Sequence, residues 1–522
     1  MRMSRRAYII LFFCGLCATS AVAFFQPVPA TMDEDYYFAG GIRLVQGHGF
    51  TEIYLWNYLD NPQSLPHPSH GYWFPLASII AAAGMWLTGQ ETFFGARLGF
   101  ILVAALVPPV TASLAYALSS RRDVSLASGL LAVFPTYQII FLPTTENFGP
   151  FMLLGGLFFI LFNRSDKKSV FALGLVAGLM NLARSDGLIW LVVGLLGLLI
   201  KHFKEKQPWP SVLASYALYA LIFLAAYALI MAPWIARNLS VFGAPLTPGG
   251  NRVLWMTSYD DTFAYPPDRV NMQNWLAAGW ESALSARWEA FKLNFANTIA
   301  VQGGIFLFPF ILLGIWQTRK DLRIRLAALV WLGLFGIMTV VLPFAGSRGT
   351  FLHAGAAFQP LWWAVAPLGL DFVVSKARQA GLFTPQAFSV FRAMLVAVTA
   401  ILTVYLVHTR VIAGEWAQFD QTYRQAEQIL LADGASPADA VVAANAPGYF
   451  VVSGRPAVTV PSEAPAILQV LSQRFNARYL VLEKNYMPAT FKPVYDLPHQ
   501  QPGLRYLGGF EEVLVFAIQP EN

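Results

Sequence analysis

The sequence predicts a mainly α, polytopic transmembrane helical bundle of 11 to 13 spans, followed by a small C-terminal α/β domain. Hydrophobic residues make up 56% of the 522 positions and charged residues 12%. A soluble fold of this length does not hide so much apolar surface. Apolar segments recur as far as about residue 410, whereas residues 411–522 have the pattern of short strands and helices.

The apolar segments have the length and composition of helices that enter or cross a bilayer. The first covers about residues 7–25, and we expect an uncleaved anchor rather than a cleaved signal peptide. Prolines at 75, 108, 109 and 135 predict that the region 72–142 holds a segment that is re-entrant, interfacial or split. The other segments lie near 72–89, 94–119, 124–142, 150–163, 169–183, 187–202, 211–235, 301–316, 324–344, 355–375 and 388–408.

The basic residues indicate how the bundle is oriented. The formal net charge is +6, but Lys and Arg stand in short clusters beside apolar runs, which is typical of cytoplasmic loops and not of a nucleic-acid surface. We therefore expect no nucleic-acid partner and a location in a bacterial-type inner membrane. The clusters predicted to be cytoplasmic are 121–122, 164–168, 201–206, 319–325 and 376–378, and the segments predicted to be extracytoplasmic are 26–71, the turn at Glu146, 238–300, 346–355 and the tail.

Two domains are predicted, a membrane body at 1–410 and an extracytoplasmic α/β domain at 411–522. Turn signals and hydrophobic periodicity in the tail favour a βαβ-like unit. The tail lacks a Gly-rich phosphate motif, so we interpret it as a lid, a partner-docking domain or a substrate-guiding domain. Its predicted elements are helices at 415–432 and 464–475 and strands at 440–444, 478–483 and 513–518.

Three consecutive carboxylates, Asp33, Glu34 and Asp35, follow the first span directly. Such a cluster at a membrane surface is costly unless a cation, a proton or a substrate hydroxyl uses it. The alternative is a solvated acidic cap on an amphipathic helix predicted at 35–45, because carboxylates favour helix N-termini. From spacing alone both interpretations stay open.

Several short motifs resemble the polytopic GT-C glycosyltransferases, the family that includes protein O-mannosyltransferases and lipid A aminoarabinose transferases. Together they cover the body to about residue 250 in the order and spacing of that family. They are the acidic pair 33–34, Tyr36-Tyr37, the GHGFT segment at 47–51, GYWFPL at 71–76, ARL at 96–98, LARSDG at 182–187 and APWIARNLSVFGAP at 232–245.

The resemblance implies a reaction on a sugar carried by a polyprenyl phosphate. A carboxylate takes the proton of the acceptor hydroxyl, cations hold the phosphate, and a closed cavity excludes water. Asp33 resembles the catalytic base of the family, Glu34 its neighbour, and Glu146 the second acidic position. For Glu146 a carboxylate at a helix N-terminus is the structural alternative.

The remaining candidate residues lie at predicted outer boundaries. As alternatives, the arginines are snorkelling side chains, the histidines are solvated, and the aromatics form the interfacial belt. We interpret the turn Arg184 to Asp186 as a cytoplasmic connector. The predicted donor phosphate-binding residues are Arg97, Arg237, Arg348 and His353; the predicted substrate-binding residues are Asp35, Tyr37, His67, His70 and Tyr72; a divalent Mg or Mn ion, if one is used, would take Asp33, Glu34 and Glu146.

We therefore predict a membrane hexosyl- or pentosyltransferase that uses a polyprenyl-phosphate sugar and a lipid, glycan or protein acceptor. A transporter or flippase of lipid-linked sugars is the first alternative. Such a protein typically has internal repeats with paired broken helices, and the sequence has neither. A non-catalytic membrane scaffold is the second alternative.

Overall fold

The computed structural model describes residues 3–203, 208–414 and 416–519. Part of the basic cluster predicted at 201–206 lies outside these residues, as do the first two residues of the chain. The described residues are predominantly helical, as the sequence predicts.

Most helices before residue 410 follow the predicted apolar segments, whereas the helix at Met32–Val45 and those between residues 249 and 297 lie in predicted outer segments. Lipid offers the backbone no hydrogen-bond partner, so an apolar segment satisfies its own peptide groups as a helix. The helices to residue 410 are α1 (Arg5–Phe24), α2 (Met32–Val45), α3 (Leu76–Thr88), α4 (Phe93–Ser119), α5 (Arg122–Val133), α6 (Phe148–Phe162), α7 (Lys167–Ala183), α8 (Leu188–Phe203), α9 (Trp209–Phe242), α10 (Gly249–Arg252), α11 (Met272–Ala277), α12 (Gly279–Asn297), α13 (Phe308–Thr318), α14 (Leu322–Gly336), α15 (Pro343–Ala345), α16 (Phe351–Ala356), α17 (Gln359–Gln379) and α18 (Ala387–Val407).

Six helical segments among the described residues are long and apolar enough to cross a membrane, and a bent pair raises that number to seven. The pair joins Pro343–Ala356 to Gln359–Gln379 at an angle of 72°. Three shorter apolar helices, α3, α6 and α13, have 13, 15 and 11 residues. The chain is thus a multi-pass membrane protein, and the number of 11 to 13 spans stays a prediction.

The prolines of the region 72–142 act differently from one another. Pro75 precedes α3 and Pro135 follows α5, so both stand at helix ends, where proline is tolerated. Pro108 and Pro109 lie inside the continuous 27-residue helix α4. These two prolines therefore do not divide α4, and a re-entrant, interfacial or split segment elsewhere in 72–142 stays a prediction.

The tail has the predicted elements and some that the sequence did not reveal. The predicted helices are α19 (Gln418–Ala432) and α21 (Ile467–Phe475), and the predicted strands are β4 (Ala440–Val442), β6 (Ala477–Glu483) and β8 (Val513–Ile518). The additional elements are α20 (Ala446–Ser453), α22 (Lys492–Asp496), β5 (Ala457–Val458) and β7 (Leu504–Phe510), and the first loop contributes β1 (Thr51–Glu52), β2 (Tyr54–Leu55) and β3 (His67–Pro68).

A six-stranded mixed sheet joins the tail to the first loop. Its strand order is β2-β5-β4-β6-β8-β7. Strands β2, β5, β4 and β6 are parallel to one another, whereas β8 is antiparallel to both β6 and β7. The predicted strands β4 and β6 run parallel with α21 between them in the chain, which confirms the βαβ-like prediction, and α20 with β5 adds a second such unit. Leu468, Leu471 and Phe475 of α21 cover one face, and Tyr423, Leu430 and Tyr449 of α19 and α20 cover the other.

The chain forms two compact units, each assembled from three segments. The first contains Met1–Phe25, Leu98–Arg237 and Arg287–Gly414, and the second contains Gln26–Arg97, Asn238–Ala286 and Glu415–Asn522. The second unit therefore combines the tail with two earlier segments. The boundary at residue 410 stays a prediction.

Candidate active site

The acidic trio forms the first turn of α2. The Thr31 side chain accepts from the Glu34 backbone N–H at 3.3 Å, which caps the helix, and the Ala30 N–H donates to Glu34 Oε2 at 2.8 Å. Negative charge in the first turn is stabilised by the helix dipole. The helix thus begins three residues before the predicted 35–45 segment, with all three carboxylates inside it.

Exposure separates the three carboxylates from one another. Glu34 is 0% exposed and Asp35 is 3% exposed, whereas Asp33 is half-buried. From the sequence, only the resemblance to the family distinguished Asp33 as the candidate base among the three. Of the three, Asp33 is therefore the carboxylate that a substrate reaches most readily.

Asp35 contacts the C-terminal sheet domain, which belongs to the same unit. Its Oδ2 accepts from the Asn445 side-chain amide at 2.7 Å. The Asn445 backbone N–H donates to the Tyr423 hydroxyl, which donates to Glu483 Oε1 at 2.8 Å. Burial raises the pKa of Asp35 to about 7, and the Asn445 hydrogen bond opposes that shift.

Glu483 makes the stability of this network depend on pH. Burial raises the pKa of Glu483 to about 7, against an ordinary value of 4.5. Between these values the folded protein holds a proton that the unfolded chain has lost, so this contribution is complete below pH 4.5 and is lost as the pH rises through 7. We expect the free energy of unfolding to fall by about 3 kcal/mol over this window.

Unfolding of the purified protein measured across this pH range checks the expectation. Glu483→Gln keeps an oxygen that accepts from Tyr423 but does not titrate. The variant should lose this part of the pH dependence. An equal pH dependence in both proteins would show that Glu483 does not titrate as described.

Aromatic side chains form a stacked group in the first loop. Trp56 and Trp73 stack with ring centroids 3.9 Å apart and planes 11° apart. Tyr72 meets Trp56 edge-on at 5.2 Å, and Tyr37 lies against Trp73 at 5.8 Å. Tyr37 is buried, while Tyr72 and Trp73 are half-buried. Tyr72 and Trp73 are thus the partly exposed rings of the group, and a part of the group in sugar binding stays a prediction.

The two histidines predicted to bind substrate, His67 and His70, have different surroundings. His67 Nε2 lies 2.8 Å from Asp60 Oδ2, and both side chains keep some exposure. His70 is 1% exposed, and its ring nitrogens lie within 3.1 Å of the hydroxyls of Ser69 and Ser78. His70 therefore holds the loop together from inside, and a role of either histidine in substrate binding stays a prediction.

In the first unit, Glu146 and His353 form a pair. His353 Nδ1 lies 2.9 Å from the Gly349 carbonyl oxygen, which only accepts, so Nδ1 carries a proton. His353 Nε2 lies 3.1 Å from Glu146 Oε2. A neutral imidazole in this tautomer and an ionised carboxylate would place two acceptors face to face. The pair therefore fits a shared proton or a divalent cation.

The arginines predicted to bind phosphate differ in their surroundings. Arg97 is 7% exposed, donates to the Gln26 carbonyl oxygen and lies over the Phe93 ring. Arg237 is half-buried over the Trp234 ring at 4.9 Å. Arg348 is exposed at a kink beside Gly349, whose φ of 124° few other residues adopt. Their role in phosphate binding stays a prediction.

Arg184 is a cation whose position sequence reasoning missed. Its Nη2 donates to the Thr350 carbonyl oxygen at 3.3 Å, and its Nε donates to Asp186 Oδ1 at 2.9 Å. Thr350 belongs to the segment predicted to face outward, whereas the Arg184 turn was predicted to face the cytoplasm. Because the two segments touch, these two predictions exclude each other. The match of LARSDG to a family motif was the available signal.

Comparison with known proteins supports the fold. No protein-family model matches the sequence, and no curated protein matches it. Solved structures do match. ArnT from Cupriavidus metallidurans bound to undecaprenyl phosphate has 13% identity and a TM-score of 0.55, with 98% of each chain covered.

Two structures of the Archaeoglobus fulgidus oligosaccharyltransferase are also similar. The complex with Zn and sulfate has 13% identity and a TM-score of 0.56, covering 90% of this chain and 67% of that one. AglB with an inhibitory peptide and a dolichol-phosphate has 13% identity and a TM-score of 0.54, covering 91% and 69%. The chain therefore has the fold of the GT-C glycosyltransferases.

Proposed function

We propose that this protein is a membrane glycosyltransferase that moves a hexose or pentose from a polyprenyl phosphate to a hydroxyl of a lipid, glycan or protein acceptor. The fold is shared with ArnT bound to undecaprenyl phosphate and with AglB bound to a dolichol-phosphate, which supports a polyprenyl-phosphate donor. The reaction takes place on the outer face of a bacterial-type inner membrane.

The accessibility of Asp33 carries the proposal. In one displacement the acceptor oxygen attacks the anomeric carbon, the bond from that carbon to the phosphate oxygen breaks, and the lipid phosphate leaves with the electron pair. The acceptor proton passes to Asp33, and the anomeric centre inverts. Glu34 and Asp35 are buried, and Asp33 is the half-buried carboxylate of the turn.

Glu146 and His353 act on the developing phosphate charge. The Glu146 carboxylate suits a divalent ion such as Mg or Mn, whereas the His353 imidazole is more typical of a Zn site, and the oligosaccharyltransferase structure with Zn and sulfate supports a metal. Such an ion would neutralise charge on the phosphate oxygens. Arg97, Arg237 and Arg348 supply further positive charge for the lipid phosphate.

The first loop binds the sugar. Tyr37 and Tyr72 belong to the stacked aromatic group, where a sugar ring packs on an apolar face. His67, paired with Asp60, offers a polar contact to hydroxyls. His70 shapes the same loop from inside.

An in vitro assay tests the proposal. The purified full-length protein is incubated with a panel of radiolabelled polyprenyl-phosphate sugars and acceptor lipids, glycans and peptides, and both released polyprenyl phosphate and labelled acceptor are scored. We expect one donor class to turn over. If none turns over and the reconstituted protein instead moves these lipids between leaflets, it is a transporter; if it does neither, the scaffold interpretation replaces ours.

A further inference from the structure

The C-terminal domain and the loop that carries the acidic helix share one hydrogen-bonded sheet. Strand β2 of the loop pairs in parallel with β5 of the tail. The Ala457 N–H donates to the Ile53 carbonyl oxygen at 2.9 Å, and the Thr459 N–H donates to the Leu55 carbonyl oxygen at 2.8 Å. The tail is thus built into the loop rather than attached beside it.

A second connection reaches the acidic turn itself. Asn445 caps α20, since its Oδ1 accepts from the Gly448 N–H at 3.0 Å, and its Nδ2 donates to Asp35 Oδ2 at 2.7 Å. A Cβ added to Gly448 would lie 2.8 Å from Asp35 Oδ2, so α2 and α20 approach closely at this point. Both ends of the Asn445 amide are therefore used.

The network continues into the sheet. The Asn445 backbone N–H donates to the Tyr423 hydroxyl at 3.0 Å, and Tyr423 donates to Glu483 at the end of β6. Asn445, Tyr423 and Glu483 are all buried. Asn445 is thus fixed by bonds within the C-terminal domain. Its side chain in turn restrains Asp35, which lies two residues after Asp33.

We propose that Asn445 is a positioning residue for sugar transfer, which fixes the first turn of α2 through Asp35 and so sets the orientation of the Asp33 carboxylate. The inference rests on the proposed function of Asp33. It assigns the C-terminal domain a part in the reaction geometry, and it makes Asp35 a structural partner of Asn445 rather than a sugar ligand.

Single substitutions at each end test the hydrogen bond between Asn445 and Asp35. Asn445→Asp keeps the oxygen that caps α20 but replaces the donor to Asp35 with a second carboxylate. Misplacement of a reacting group by about 1 Å lowers rates by about 100-fold, so we expect kcat to fall about 100-fold with KM nearly unchanged. Asp35→Asn keeps an acceptor oxygen and should lose less than about threefold in kcat.

The double variant Asp35→Asn/Asn445→Asp restores an amide and a carboxylate in reversed order. We expect its kcat to return to within about fivefold of the wild type, which a merely additive pair of defects would not give. Gln425→Glu adds the same charge to an exposed residue of α19 and serves as the matched control, with wild-type kinetics.

Hydrogen exchange of the α2 amides in the resting protein provides a readout without turnover. Asn445→Asp should accelerate exchange in the first turn of α2, and the double variant should reverse this. The positioning role is wrong if Asn445→Asp folds and keeps its kcat, if the double variant does not recover, or if Asp35→Asn alone raises KM. Failure of the proposed function is a separate result. In that case the wild type turns over no donor, while hydrogen exchange of the α2 amides still responds to loss of the hydrogen bond between Asn445 and Asp35.

Discussion

Asp33→Asn should lower kcat for sugar transfer by about 10³-fold, because a positioned general base contributes about 10² to 10⁴ to such reactions. Asparagine has nearly the same shape and retains an oxygen acceptor, but it does not take up the proton of the acceptor hydroxyl. Asp33 is half-buried in the first turn of a capped helix, so the substitution leaves the fold in place. Donor binding should change little, and the loss should appear in kcat.

The measurement is steady-state kinetics with the donor that the panel identifies, together with thermal unfolding of each variant. Asp268→Asn removes the same charge from a carboxylate that is 74% exposed in the second unit, and it should stay close to the wild type. Retention of most of the activity by Asp33→Asn would remove Asp33 from the reaction, and the role of base would then pass to another carboxylate.

The sequence predicted the helices well because the bilayer leaves little choice. An apolar segment such as 388–408 satisfies its backbone only as a helix, and it appears as α18 (Ala387–Val407). Proline positions were a weaker guide, because Pro108 and Pro109 lie inside the continuous helix α4. They remove backbone donors from α4 but do not end it, since surrounding groups and local adjustments in a membrane helix can satisfy the backbone carbonyls that a proline frees.

The candidate site was predictable only one residue at a time. Asp33, Glu146 and His353 were each named from the sequence, but the bond between Glu146 and His353 joins positions 207 residues apart. Asp35 and Asn445 lie 410 residues apart, and nothing local to Asn445 marks it as a partner. Which carboxylate of a consecutive trio stays accessible depends on the helix face that the tertiary fold covers.

The second large effect is expected at a buried ion-pair network in the first unit. Arg392 donates to both oxygens of Asp371 at 2.7 and 2.8 Å, and Arg121 donates to Asp371 Oδ2 at 2.6 Å. Arg392 also donates to Asp123 at 2.6 Å. Asp371 and Arg392 are 7% and 6% exposed, so their charges are stable inside the protein because each has a partner of opposite charge.

Asp371→Ala should therefore lower the free energy of unfolding by about 3 kcal/mol, since it leaves the buried Arg392 guanidinium beside a cavity with the exposed Asp123 carboxylate as its remaining acidic partner. Asp123→Ala is the matched control. Its carboxylate is 48% exposed and water replaces the lost contact, so we expect a loss of about 1 kcal/mol or less.

The double change Asp371→Leu/Arg392→Met removes both charges and should recover most of the loss, because apolar packing replaces a pair whose desolvation offsets its attraction. Denaturant unfolding of the purified protein measures all three. If Asp371→Ala and Asp123→Ala proved equally mild, the network would be as well solvated as a surface pair, and its burial would have no energetic consequence.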